Sequence, residues 1–207
     1  MATVNGITLE GVADLNQMVR EECGAMLDAY EREYPRLKAE HTVFSKAWGV
    51  PVMHPQRFMN PVVALAYSAE CRGGWLDIGA YDGALVMILR HLGVAAYGIE
   101  TFDWKAMWKL LCIEDLMNVT INAPSVISVL NYAHNFEPRE FIGRLLQTYG
   151  EPDLLLVDRE KRTPHSNNRL WFNDDVMQDL GFSEVIAFPE LAKLNIDYGR
   201  ELLVRRK

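Results

Sequence analysis

The chain has 207 residues, 49% of them hydrophobic and 24% charged, which suits one domain with a sizeable core and argues against disorder. Its formal net charge of −7 disfavours nucleic acid as the main partner, because a polyanion binder needs a cationic footprint. Three widely spaced cysteines (Cys23, Cys71 and Cys112) and scattered histidines argue against a disulfide framework and a structural zinc site.

The predicted elements begin with an amphipathic helix. Leu9, Val12, Leu15, Val19, Cys23, Met26, Leu27 and Tyr30 recur at three- and four-residue steps, with Asp14, Arg20, Glu21, Glu22 and Asp28 between them. This helix starts at Thr8 and ends before Pro35. A less regular stretch follows to about Arg57, where Pro51 and Pro55 mark a loop, and residues 60–71 are helical again. Residues 1–72 thus form an N-terminal helical extension, either a lid over a site or a cover on one sheet face.

From Gly74 the pattern changes. Trp75-Leu76-Asp77-Ile78 is a short strand, Gly79–Gly83 a turn, and Ala84–Leu92 a helix ended by Gly93. Ala95–Glu100 is a second strand and Trp104–Met117 a second helix, in which Trp104 and Trp108 stand at core-like helical spacing. A strand at Val126–Leu130, a helix at Arg139–Thr148 ended by Gly150, and a buried strand at Asp153–Asp158 follow. The helix Asp174–Leu180, ended by Gly181, precedes final strands at Ser183–Phe188 and Glu201–Arg205. Alternating strands and helices predict βαβ units, and so an α/β fold with a parallel, doubly wound sheet over residues 73–207.

In such sheets the ligand lies at the carboxyl ends of the strands, which directs attention to the first turn. There Gly79 permits close backbone approach, and Gly83 lets the next helix sit against the strand. Tyr81 occupies the middle position of a GxGxxG pattern, so the dinucleotide fingerprint is absent. Asp77 and Asp82 would repel a pyrophosphate at the helix N-terminus but favour a ligand carrying a sulfonium and an ammonium. Glu100 closes the second strand, where a carboxylate can accept both hydroxyls of a ribose.

Asp77-Ile78-Gly79-Ala80-Tyr81-Asp82-Gly83 and Glu100 resemble motifs I and II of the class I methyltransferases dependent on S-adenosylmethionine (SAM), in a form closest to the sugar and natural-product enzymes. The resemblance implies a Rossmann-like, mostly parallel seven-stranded sheet, ordered 3-2-1-4-5-7-6 with an antiparallel seventh strand. It also implies SAM as cofactor, with Asp77, Gly79, Ala80, Tyr81, Gly83, Glu100, Thr101 and Phe102 around it, Phe102 packing on adenine. Between Glu100 and Gly181 only two strands are convincing. The further one falls either at Val119-Thr120-Ile121 or within Arg169-Leu170-Trp171-Phe172, and motif III is poorly defined. Asn131 and Tyr132 are its candidate adenine-side contacts.

Methyl transfer needs a positioned acceptor and, for OH or NH acceptors, a proton sink. Asp158, Arg159, Glu160 and Lys161 leave the strand 153–158, and His165 follows on a polar loop with Ser166, Asn167 and Asn168. Asp158 and His165 are the candidate catalytic pair, His165 by virtue of a titration range near working pH. Asp158-Arg159-Glu160-Lys161 faintly resembles the D-A-D-K segment of metal-dependent catechol-type enzymes, but further ligands are not evident and no metal is expected. The [DNS]-P-P-[YFW] motif of nucleobase amine methyltransferases is absent. Three readings stay open: methyl transfer to a small-molecule acceptor, a SAM enzyme that cyclises or cleaves its cofactor, and a non-catalytic Rossmann-like binding protein. The chain begins without a signal-like segment and has no apolar stretch near the ~18 residues that span a bilayer, so a cytoplasmic protein without a membrane partner is expected. The oligomeric state stays open, a homodimer among the options.

Overall fold

Thr8 starts the first helix as expected: its Oγ1 accepts the amide of Gly11 at 3.2 Å, meeting one of the unpaired N–H groups of a helix N-terminus. The computed structural model describes residues 3–4, 7–33, 55–80, 83–99, 123–130, 137–161, 172–187 and 199–207. Two short paired strands, β1 (Thr3–Val4) and β2 (Ile7–Thr8), precede α1 (Leu9–Glu33). The next helix, α2 (Pro55–Tyr67), begins earlier than the sequence pattern suggests. Pro55 is its first residue rather than a loop residue, because a fixed φ and a missing N–H suit the first helical turn. A single 3-10 turn, Ser68–Glu70, then leads to the sheet.

The sheet elements are β3 (Trp75–Ile78), α3 (Ala84–His91), β4 (Ala96–Ile99), β5 (Val126–Val129), α4 (Pro138–Tyr149), β6 (Leu154–Lys161), α5 (Asp174–Asp179), β7 (Glu184–Ala187) and β8 (Gly199–Arg206). Helix caps account for two of these starts. Glu137 accepts the amide of Glu140 at 2.7 Å ahead of Pro138, and Asn173 accepts that of Val176 at 2.8 Å. The helix stops foreseen at Gly93, Gly150 and Gly181 all carry positive φ.

Among the described residues the sheet has six strands in the order β4-β3-β5-β6-β8-β7. The first four run parallel, and β8 lies antiparallel between β6 and β7. This matches the expected order with one place vacant, beside β4. The two candidate segments for the further strand, Val119-Thr120-Ile121 and Arg169-Leu170-Trp171-Phe172, lie outside the described residues apart from Phe172.

Strand alternation sorts the core into two layers. On one face Trp75, Val126, Leu154, Leu156, Leu202 and Val204 bury against α1, α2 and α3, with Val12, Leu15 and Val19 of α1 in the same cluster. On the other, Leu76, Ile78, Ile127, Val129, Leu155, Val157 and Leu203 pack on Ile142 and Leu145 of α4 and Met177 of α5. Helices on both faces explain why β3 and β5 are buried throughout and read as apolar runs.

Strand β6 departs from the reading of the sequence. It runs eight residues, to Lys161, instead of stopping at Asp158, because β8 pairs with it over its full length, from Leu154↔Arg206 to Lys161↔Gly199. Arg159, Glu160 and Lys161 are therefore strand residues and not the start of a loop. Their polarity hid the strand: past Val157 β6 has no paired residue on β5, and a two-stranded ribbon needs no apolar run.

Candidate active site

The carboxyl ends of β3, β4 and β5 meet at the glycine turn. Gly79 (φ 71°) and Gly83 (φ 73°) both lie in the left-handed region, which a Cβ disfavours. The amides of Gly79 and Ala80 both donate to the carbonyl of Ile99, at 2.8 and 2.9 Å, and the amide of Gly83 donates to Ala80 at 2.8 Å. One carbonyl at the end of β4, that of the residue preceding Glu100, thus anchors the turn after β3.

Below the turn sits a carboxylate. Asp77 is 4% exposed, flanked by Gly98 of β4 and Ser128 of β5. The Ser128 hydroxyl donates to Asp77 Oδ1 at 2.6 Å and accepts the indole N–H of Trp75 at 2.8 Å. Both bonds are buried, and all three side chains project from the face covered by α1, α2 and α3. Buried polar groups of this kind persist because they are hydrogen-bonded.

Asp158 is the second buried carboxylate, also 4% exposed. It stands one residue past the last β5–β6 pair, Val129↔Val157, and opposite Leu202. That places it level with the ends of the parallel strands, on the same face as Asp77. Two strand spacings and two residues separate the pair, roughly 12 Å. Arg159, on the other face, is engaged in structure. Its Nε and Nη2 contact Glu201 Oε2 at 2.8 and 2.6 Å, and its Nη1 donates to the Phe172 carbonyl at 2.8 Å and to Asp174 Oδ1 at 3.0 Å. This clamp fixes the chain where it re-enters α5.

Of the residues singled out from the sequence, Asp77, Gly79, Ala80, Gly83 and Asp158 gather at this end of the sheet. Tyr81, Glu100, Thr101, Phe102, Asn131, Tyr132 and His165 lie outside the described residues. Strands β4 and β5 lie on opposite sides of β3 and so flank the glycine turn. Trp75 and Ser128 escaped the sequence reading. The available signal was a lone serine inside the apolar strand Val126-Ile127-Ser128-Val129, but its meaning depends on the register that sets it beside Asp77. Among the described residues no group of three or more His, Cys, Asp or Glu side chains could hold a metal ion, and no helix is long and apolar enough to cross a membrane.

The parallel order with an antiparallel strand inserted before the last edge is decisive. The chain has the Rossmann-like, mostly parallel fold whose strand order the class I methyltransferase resemblance led one to expect. No family model and no curated protein matches the sequence. Among solved structures, WbdD co-crystallised with a kinase inhibitor is 13% identical with a TM-score of 0.54, over 87% of this chain and 47% of that one. The magnesium protoporphyrin IX methyltransferase ChlM from Synechocystis PCC 6803, solved with bound SAM, is 14% identical over 93% and 97% of the two chains, with a TM-score of 0.48. The methyltransferase domain of bacterial CtHen1-C is 11% identical over 70% and 95%, with a TM-score of 0.49.

Proposed function

We propose that the chain binds SAM at the carboxyl ends of β3, β4 and β5 and transfers its methyl group to a small-molecule acceptor. One observation carries this reading: a buried carboxylate, Asp77, lies beneath the glycine turn at the carboxyl end of β3 and ahead of the α3 N-terminus, where it would repel a phosphate. Such a site suits a ligand with cationic centres and no phosphate. The net charge of −7 supports a small acceptor over a polyanion.

In this reading Asp77, Gly79, Ala80, Tyr81 and Gly83 hold the methionine side of the cofactor. Glu100 accepts the ribose hydroxyls, with Thr101 and Phe102 beside it and Asn131 and Tyr132 towards the base. Bound SAM supplies an electrophilic methyl group on a sulfonium. Held by these residues, SAM would supply its methyl group to a lone pair of the acceptor, sulfur keeping the electrons of the broken S–CH3 bond. Asp158 orients the acceptor and His165 takes its proton.

Incubation with SAM and mass spectrometry of the products tests the proposal. S-Adenosylhomocysteine with a methylated acceptor is expected. Methylthioadenosine would mean cleavage or cyclisation, and unchanged SAM with no acceptor turning over would mean a binding protein. Thermal stabilisation should be larger with S-adenosylhomocysteine than with NAD, and the reverse order would overturn the cofactor assignment. His165→Ala should lower turnover ~10²–10⁴-fold while S-adenosylhomocysteine affinity stays within a few-fold. Asp158→Asn should lower turnover by as little as tenfold, as loss of a positioning group does. Full turnover in His165→Ala would remove the assigned base.

A further inference from the structure

Resting on that reading, we infer that Trp75 and Ser128 are positioning residues for the Asp77 carboxylate. They fix its orientation for the ammonium of the cofactor's amino-acid moiety.

The hydrogen-bond inventory allows little freedom. An indole N–H can only donate, so at 2.8 Å Trp75 makes the Ser128 hydroxyl an acceptor on that side. The hydroxyl's single proton is then directed to Asp77 Oδ1, and 2.6 Å is the oxygen–oxygen separation of a hydrogen bond from a hydroxyl to a carboxylate. The three groups form a directional chain, indole to hydroxyl to carboxylate. Trp75 is fully buried and Ser128 has no exposed surface, so water does not compete for either bond.

The chain crosses from β3 to β5, two rigid and fully buried strands, at the register Asp77↔Ser128. An apolar residue would suit a buried site at position 128 equally well for packing. Serine there supplies a hydroxyl that links Trp75 to Asp77. Two residues further along β3 is Gly79, where the strand gives way to the proposed cofactor site. A carboxylate held on one oxygen by a fixed donor presents a constant geometry to whatever approaches it, and preorganised charge is more effective than charge that must be oriented on binding.

The test compares two ligands by calorimetry: S-adenosylhomocysteine, which carries the ammonium, and methylthioadenosine, which lacks the amino-acid moiety. Ser128→Ala should weaken S-adenosylhomocysteine about tenfold, as the loss of one hydrogen bond to a charged group does, and change methylthioadenosine less than twofold. Ser128→Thr, which keeps a hydroxyl on the same face, should restore most of the ratio. In an Asp77→Asn background Ser128→Ala should have no further effect on the ratio, since coupled residues are not additive. The unmodified protein supplies a readout that does not depend on any variant folding: its buried Trp75 indole N–H resonance should shift with S-adenosylhomocysteine and stay in place with methylthioadenosine. Equal loss of both affinities in Ser128→Ala, or an indole resonance indifferent to both ligands, would make the relay purely structural and overturn the inference. If the unmodified protein binds neither nucleoside, the cofactor reading itself falls, which is a separate outcome.

Discussion

At Tyr67 a phenol is buried at the opposite end of the sheet from the proposed site. Burial is the main cause that pushes its pKa up to about 12; the Glu184 and Glu70 carboxylates add to the effect, and the Arg206 guanidinium opposes it. That guanidinium lies 6.0 Å from the ring centroid and pairs with Glu70 and Glu184. Because the folded value lies above the unfolded value of about 10, the neutral phenol is favoured in the native state. The associated stability is fully present below pH 10 and is lost as pH rises through about 12. Urea titrations at pH 9 and pH 11 should show the wild type losing about 1 kcal/mol more than Tyr67→Phe over that interval. Equal losses would mean that the phenol titrates normally. Nothing in the sequence announced this residue. Tyr67 is one of eight tyrosines, and its environment is assembled from Glu70, Glu184 and Arg206, which are brought together only by the sheet.

The glycine turn between β3 and α3 is where element-level reading succeeded. A four-residue apolar strand, two glycines and an apolar helix are all local signals, and the structure places Trp75–Ile78, Gly79, Gly83 and Ala84–His91 as anticipated. Gly83 caps α3 with φ 73° and ψ 10°, a left-handed conformation that costs other residues roughly 1–2 kcal/mol. Gly83→Ala should therefore lower the unfolding free energy by that amount, seen as a lower urea midpoint with an unchanged denaturant slope. An unchanged midpoint would show that the turn relaxes. The readings that failed were those that depend on partners distant in sequence. The extension of β6 to Lys161 is dictated by β8, some forty residues away, and the role of Ser128 by its pairing with Asp77 across 51 positions. The start of α2 at Pro55 was missed for a local reason: proline marks a loop and a first helical turn equally well.

Across the whole molecule, the parallel sheet was legible because each βαβ unit announces itself, whereas the strand order and the antiparallel closing strand were anticipated through the family resemblance. The two ends of the sheet have different occupations. At the amino ends of the parallel strands Arg206 joins Glu70, Glu184 and Tyr67, tying α2 to β8 and β7. At the carboxyl ends lie Asp77, the glycine turn and Asp158. Between Asp77 on β3 and Arg206 on β8 stand β5 and β6, so three strand spacings, about 14 Å, separate them. Groups that far apart without shared partners contribute independently. Free-energy changes from Glu70→Gln and Asp77→Asn should accordingly add to within ~0.5 kcal/mol in the double variant, and a larger residual would reveal long-range coupling through the sheet. Glu70→Gln should also leave ligand affinity untouched. The sheet thus keeps the Arg206 ion pairs at one pole and the proposed recognition chemistry at the other, and either pole can drift through substitution without taking the other with it.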